Sequence, residues 1–181
     1  MSNDDQSAPL SSFHDSHGGI LKHLTRLNDL SLLIRQPGME GAVEDSALAI
    51  WRFFREVVMA HHEEEEEELF AAVLRIEDLE PALREKIVAS VERLTHEHRD
   101  VEADWAAIEP QVRKLSRGKL SILDVDRVKT LVAKYEAHAR YEEDEFLPLA
   151  EDLLSRHAEE LGKLARALHS RHSAKWVAGY V

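Results

Sequence analysis

Six residues of this sequence are of the type and spacing that hold metal ions: His17, His61, Glu65, His98, His138 and Glu142. Imidazole and carboxylate are ligands for borderline divalent metals such as iron, manganese and zinc. Buried without a cation, an ionised carboxylate costs several kcal/mol. His61 and Glu65 are spaced i, i+4, and so are His138 and Glu142, which puts each pair one turn apart on one helix face. The surrounding stripes form a quasi-repeat, Val58-His61-Glu65-Leu69-Ala72 against Tyr135-His138-Glu142-Phe146-Leu149, both spaced 3-4-4-3. No Lys or Arg falls on a matching stripe position, so the counter-charge for Glu65 and Glu142 has to come from outside the chain. Six ligands on one ion would leave no open position, whereas six shared by two ions leave room for water or a small ligand.

The elements that position these residues are helices. Phe13, His17, Ile20, Leu24 and Leu27 alternate 4-3 along a first helix that stops before Gln36-Pro37-Gly38. A second, from about residue 43 to 74, carries Trp51, Phe54, Val58, His61, Glu65, Leu69 and Ala72. A third starts at Pro81 and runs through Ile87, Val91, Leu94, His98, Val101, Trp105, Ile108, Val112 and Leu115 to a stop at Gly118. The fourth, capped at Ser121 or Asp124, carries Val128, Leu131, Tyr135, His138, Glu142, Phe146 and Leu149, with Pro148 expected to end or kink it. Each helix thus has one histidine on its buried stripe. In an antiparallel bundle, residues equidistant from a connecting loop share a height. His17 and His61 lie about 21 and 23 residues from the first turn, His61 and His98 about 18 and 19 from the second, and His98 and His138 about 20 each from Gly118. All four imidazoles should therefore meet in one layer.

The expected fold is all-α: an up-down-up-down four-helix bundle over residues 13–153, a flexible leader over 1–12, and a helical extension over 154–181. With 181 residues and 44% hydrophobic content the chain suits one core. The absence of cysteine excludes thiolate zinc sites, cysteine-held iron–sulfur clusters and disulfides. A formal charge of −12 repels phosphate backbones and anionic lipid, so neither nucleic acid nor membrane is expected as a partner. No stretch is long and apolar enough to span a bilayer, and the polar start lacks a signal-peptide pattern, so the cytoplasm is the expected location.

Two segments carry a family resemblance. His61-His62-Glu63-Glu64-Glu65-Glu66-Glu67-Glu68-Leu69-Phe70 resembles the His-xxx-Glu-Glu-xx-Leu-Phe motif of hemerythrin-like (HHE cation-binding) proteins, and His138-xxx-Glu142-Glu143-xx-Phe146-Leu147-Pro148 its fourth-helix counterpart. Asp15-Ser16-His17-Gly18-Gly19-Ile20 and Glu97-His98-Arg99-Asp100-Val101 resemble the single-histidine segments of the first and third helices. The resemblance implies two iron ions, with Glu65 and Glu142 bridging them and the four histidines as terminal ligands. It also implies a small gaseous or peroxide ligand: dioxygen, nitric oxide or peroxide. Two departures point away from reversible oxygen carriage. The second third-helix histidine of the oxygen carriers is here Leu94, and their fourth-helix aspartate, five residues after the histidine, is replaced by Glu142 at four and Glu143 at five. The cysteine segment of the iron–sulfur-repair subgroup is absent.

Several neighbours stay open at this level. His62 is an alternative or supplement to His61, which is preferred because its spacing copies the fourth helix. Glu102 and His14 are outlying ligand candidates, and Glu66 and Glu143 face either solvent or the ligand imidazoles. His23, His96, His157, His169 and His172 fall off the stripes and read as surface residues. Trp51, Trp105, Tyr135 and Phe146 read as core packing, Tyr135 with a hydroxyl that lines the site as the alternative. Manganese or zinc fits the same ligand set as iron. Beside a protein that senses, stores or binds, a di-metal peroxidase-like or oxidase enzyme and a metal-free helical interaction module are the competing functions. The protein partner is open, as is monomer against homodimer.

Overall fold

The structure, a computed structural model, describes residues 8–178. Five helices and no strand make up the described residues. Helix α1 spans Ala8–Leu33. Residues 40–74 form one rod, α2, built of α-helical segments Glu40–Phe53, Met59–Glu64 and Ala71–Leu74 joined by π-helical turns Phe54–Val58 and Glu65–Phe70. Helix α3 spans Pro81–Leu115. Residues 125–156 form α4, from segments Val125–Tyr141 and Leu147–Arg156 joined by the π turn Glu142–Phe146, and α5 spans Ala158–Ala178.

The chain-reversing signals act where the sequence puts them. Gly38 and Gly118 both adopt positive φ, at 80° and 65°, which any side chain would oppose. After α3 the Lys119 N–H bonds back to Lys114 O at 3.0 Å, closing the helix around Gly118. Pro81 occupies the first turn of α3, where its missing N–H costs nothing. Asp124 caps α4, its side chain accepting from the Arg127 N–H at 3.0 Å. No helix of the described residues is long and apolar enough to cross a membrane.

Helices α1–α2, α2–α3, α3–α4 and α4–α1 pack against one another, closing a four-sided bundle. Its apolar interior falls into two clusters. One, toward the 34–39 and 116–124 loops, holds Ile20, Leu24, Phe54, Val58, Val101, Trp105, Leu131 and Tyr135. The other holds Phe13, Leu69, Phe70, Ile87, Leu94, Phe146 and Leu147, with Leu164 and Leu168 of α5. Each bundle helix passes from one cluster to the other, and in opposite senses for consecutive helices. The layer it crosses on the way contains the six candidate residues.

Three expectations are modified and one open point is answered. Helix α1 begins at Ala8 rather than near Phe13, and Leu10 is buried, so an apolar contact extends the helix into the stretch read as leader. Pro148 does not end α4, which continues to Arg156. The proline follows a π turn whose ladder has already changed register, Leu147 N–H bonding to Glu142 O. Trp51 is half-buried at the bundle rim, its indole N–H donating to Glu109 Oε1 at 2.7 Å while Arg55 lies over the ring. The C-terminal segment docks as α5 on its own bundle through Leu164 and Leu168. Arg171 clamps the acidic run of α2, bonding Glu68 Oε1 at 3.0 Å and pairing with Glu67. Residues 1–7 and 179–181 and the side chains of His172 and Trp176 lie outside what is described.

Candidate metal centre

All six candidate residues are buried in one layer: His17 2%, His61 4%, His138 1%, and Glu65, His98 and Glu142 0% exposed. His62 joins them at 1%. Their ligand atoms form two groups, His17, His61, Glu65 and Glu142 in one and His62, His98 and His138 in the other, with the atoms of each group within 4.8 Å of one another. Glu65 spans both: Oε1 lies 2.9 Å from His61 Nε2, and Oε2 lies 3.2 Å from His98 Nε2. Glu142 Oε2 lies 3.2 Å from His17 Nε2 and 3.5 Å from His138 Nε2, again one residue from each group. Each carboxylate thus faces imidazoles of both groups.

The backbone explains how two carboxylates reach the axis. Glu65 and Glu142 each open a π turn. A π turn takes in one extra residue and resets the side-chain frame beyond it, and such turns concentrate at functional sites. On a regular helix the five positions of each 3-4-4-3 stripe fall within about 80° of one another, so the stripe marks the buried face without marking the turn.

The Nε2 atoms of His17, His61, His62, His98 and His138 and all four carboxylate oxygens of Glu65 and Glu142 are buried and have no hydrogen-bond partner. Orphaned buried polar atoms in such number need occupants. Four of the five imidazoles are fixed from behind by a carboxylate that accepts from Nδ1–H. Glu143 Oε1 holds His17 at 2.9 Å, Glu102 Oε1 holds His62 at 3.0 Å, Glu66 Oε1 holds His98 at 2.8 Å, and Glu97 Oε2 holds His138 at 3.1 Å. With the proton on Nδ1, the Nε2 lone pair of each neutral ring points inward, the tautomer a metal requires. Arg99 ties the supports together, donating to Glu102 Oε2 at 2.6 Å and pairing with Glu66, while Arg93 donates to Glu97 Oε1 at 2.8 Å. Glu143 also accepts from His14 Nδ1 at 2.9 Å, linking the layer to a half-exposed histidine in the groove between α1 and α4.

Electrostatics in the metal-free layer follow from burial. It holds His61 and His62 down at about 4, with neighbouring imidazoles adding to the effect, and it holds His98 far below its ordinary range. Burial and the neighbouring Glu142 push Glu65 well above the carboxylate range. Burial works against the charged form of His17 too, but the facing carboxylates Glu142, Glu65 and Glu143 outweigh it and raise His17 to about 9. Glu142 is lowered, the His17 contact outweighing desolvation. Burial, and then Glu65 and Glu142, push the Tyr135 phenol well up. Without metal the layer therefore pairs His17 with Glu142, favours the neutral form of Glu65, and holds neutral imidazoles at His61, His62 and His98.

The structure brings together every residue singled out from spacing. It adds His62 beside His61 rather than in place of it: the ring stacks on His98 with centroids 4.0 Å apart. Leu94, where the resemblance would have a further histidine, is buried in the second apolar cluster. The His61-His62 dipeptide ahead of a widened turn was the available signal, since neighbouring residues 100° apart both reach an axis lined by four helices. Glu102 backs His62 and His14 bonds Glu143, both outside the layer, and Glu66 and Glu143 take the inward of their two expected orientations. His23 stacks on Phe53 with centroids 3.6 Å apart rather than standing free on the surface.

A helical bundle with a buried His/Glu cluster of this kind defines a cation-binding bundle protein. The chain matches the family model of the hemerythrin HHE cation binding domain over residues 8–150, and it belongs to that family. No curated protein matches it.

Proposed function

We propose that this protein is a non-haem di-iron protein that binds a small ligand, dioxygen, nitric oxide or peroxide, in the role of a sensor, store or protective protein. The observation that carries the reading is the convergence, in one buried layer, of five Nε2 atoms and four carboxylate oxygens that no hydrogen bond satisfies. His17 and His61 would hold one ion and His62, His98 and His138 the other, with Glu65 and Glu142 between them. Iron, when bound, supplies Lewis-acid and redox chemistry toward the small ligand. The chain's own residues do the rest. Glu66, Glu97, Glu102 and Glu143 set the tautomers and aim the lone pairs, and the two apolar clusters keep bulk water from the layer. Manganese and zinc suit the same donors.

Metal content by mass spectrometry, on protein expressed with iron and purified without chelators, tests the reading. Two irons per chain in the wild type, lost in His61→Ala and in His138→Ala, is the expected result. Folded wild-type protein free of every transition metal would refute it.

A peroxidase-like enzyme is the second reading, favoured by one observation: Glu143 joins buried His17 to half-exposed His14, a hydrogen-bonded path along which a proton can travel. Steady-state peroxide consumption above a free-iron control separates it from a binding protein.

A further inference from the structure

Among the described residues four large apolar side chains are left exposed, Leu32, Val57, Leu120 and Ile122. Three of them, Leu32 at 58%, Leu120 at 100% and Ile122 at 90%, stand at the end of the bundle formed by the 34–39 and 116–124 loops. Single exposed apolar residues are ordinary on a protein surface, whereas a group of them beside a hollow marks a contact site. Leu120 and Ile122 project from the 116–124 loop, and that loop is braced. The Lys119 N–H bonds back to Lys114 O, Leu123 is buried in the first apolar cluster, and the Asp124 N–H donates to Gln111 Oε1 at 2.7 Å. The two side chains are therefore held out to solvent by a fixed backbone.

Leu120 stands at the rim of a hollow of about 140 Å³ whose apolar wall is Ile34, Val43 and Leu115. An apolar cavity of ~150 Å³ takes a benzene ring, so an aliphatic side chain fits here. Leu32 lines a second groove, which shares Gln36 with the first. The surrounding surface carries both signs: exposed Lys114, Arg117 and Lys119 at the end of α3, and exposed Glu40, Glu44 and Asp45 at the start of α2. Lys119 and Glu40 both line the hollow itself.

A patch that holds a projecting aliphatic side chain beside a hollow of matching size, and three cations beside three carboxylates, is complementary to itself when turned about a two-fold axis. A flat anionic bilayer would leave the hollow unfilled and meet the three carboxylates of a chain whose formal charge is −12.

We infer that this end of the bundle is an isologous dimer interface, on which Leu120 of each copy enters the hollow of the other and the basic end of α3 faces the acidic start of α2. The interface is independent of the metal reading. The first apolar cluster separates it from the His/Glu layer, so the dimer forms loaded or empty.

Sedimentation velocity and light scattering on the full chain, with and without iron, read the mass over a wide concentration series. The expected mass is twice the 20.6 kDa of one chain. Leu120→Asp/Ile122→Asp should bring it down to one chain with the thermal melt unchanged, because both side chains are exposed in a single copy. Lys119→Glu and Glu40→Lys should each weaken the dimer about tenfold, and the two together in one chain should restore it. These charge variants keep the test decisive even where the double aspartate variant folds poorly. A nitroxide carried by Ser121→Cys, free of competing sites in a chain without cysteine, should couple to its counterpart in the dimer, while one at Glu151→Cys, far along α4, should not. A monomer at every concentration would overturn the inference. So would a dimer that persists in folded Leu120→Asp/Ile122→Asp, or one whose labels at position 121 stay uncoupled. A monomer that binds vesicles of phosphatidylserine and phosphatidylcholine, with binding lost in the double variant, would overturn it too and make the loop a lipid contact. None of these results bears on iron content, so the metal reading stands or falls separately.

Discussion

Glu65→Gln separates the metal's contribution to stability from the fold's. Glu65 is fully buried, and burial and the neighbouring Glu142 push its carboxyl well above the ordinary range, toward the neutral form, in the metal-free protein. Gln has its shape and its neutrality, so metal-free stability should change by less than about 1 kcal/mol. With metal the two diverge. Free metal at 100 times the dissociation constant adds about 2.7 kcal/mol per site, or roughly 5 kcal/mol for two. In a chain of 181 residues, where 1 kcal/mol moves Tm by about 2–4 °C, that is a rise of about 10–20 °C. An amide brings no negative charge and bridges poorly, so the variant should forfeit most of the rise. Scanning calorimetry of metal-free and iron-reconstituted samples, with metal analysis of the same samples, reads both halves. A variant that keeps two irons and the full rise would refute Glu65 as the bridge, and wild type that gains nothing from iron would refute the site.

Other expectations are open to equally direct checks. His62→Ala should lower iron toward one per chain while His61 and Glu65 stay in place, and tightly held iron at the wild-type count would remove His62 from the ligand set. Arg99→Ala, which frees Glu66 and Glu102 behind His98 and His62, should weaken metal binding about 10–100-fold in a chelator competition, and an unchanged affinity would show those supports to be idle. The metal-free protein should be most stable near pH 6.5. Below 6.5 the unfolded chain protonates His61, His62 and His98 while the fold holds them neutral, so stability falls toward about pH 4; this outweighs Glu65, whose raised pKa works the other way. Above 6.5 the fold retains on His17, raised to about 9, a proton that the unfolded chain releases, so stability falls again. A monotonic series of urea midpoints across pH 4.5, 6.5 and 9 would contradict this. Leu164→Ala, at a side chain 1% exposed beneath α5, should cost about 2–5 kcal/mol by urea unfolding, and a cost under about 0.5 kcal/mol would show α5 to be loosely held.

Much of this was legible in the sequence because helix period and loop position are linear quantities. Equal spacing from Gly38, the break near Leu79 and Gly118 is enough to bring His17, His61, His98 and His138 to one height. The nine-residue stripe of α3 from Ile87 to Leu115 is buried throughout. What spacing could not deliver was angular. Whether His61 or His62 faces inward depends on local helix pitch, and π turns on either side of the pair let both do so. The outer carboxylates were ambiguous for the same reason, since Glu66 and Glu143 sit at stripe edges where a few tens of degrees choose between water and an imidazole. Trp51 packs against the first cluster as expected but only from the rim, where its N–H meets Glu109.

The division of the interior into two apolar clusters has a mechanical consequence. A continuous core resists unfolding as one body, because each layer is braced by the next. Here the bracing is interrupted by a plate of imidazoles and carboxylates that attract one another only weakly until cations are shared between them. Metal would act as a rivet through that plate, fastening the half of the bundle near the 34–39 and 116–124 loops to the half covered by α5. Without it the halves are held in register by four unbroken helices but are free to loosen independently, so amide exchange would resolve two cooperative units where the loaded protein shows one.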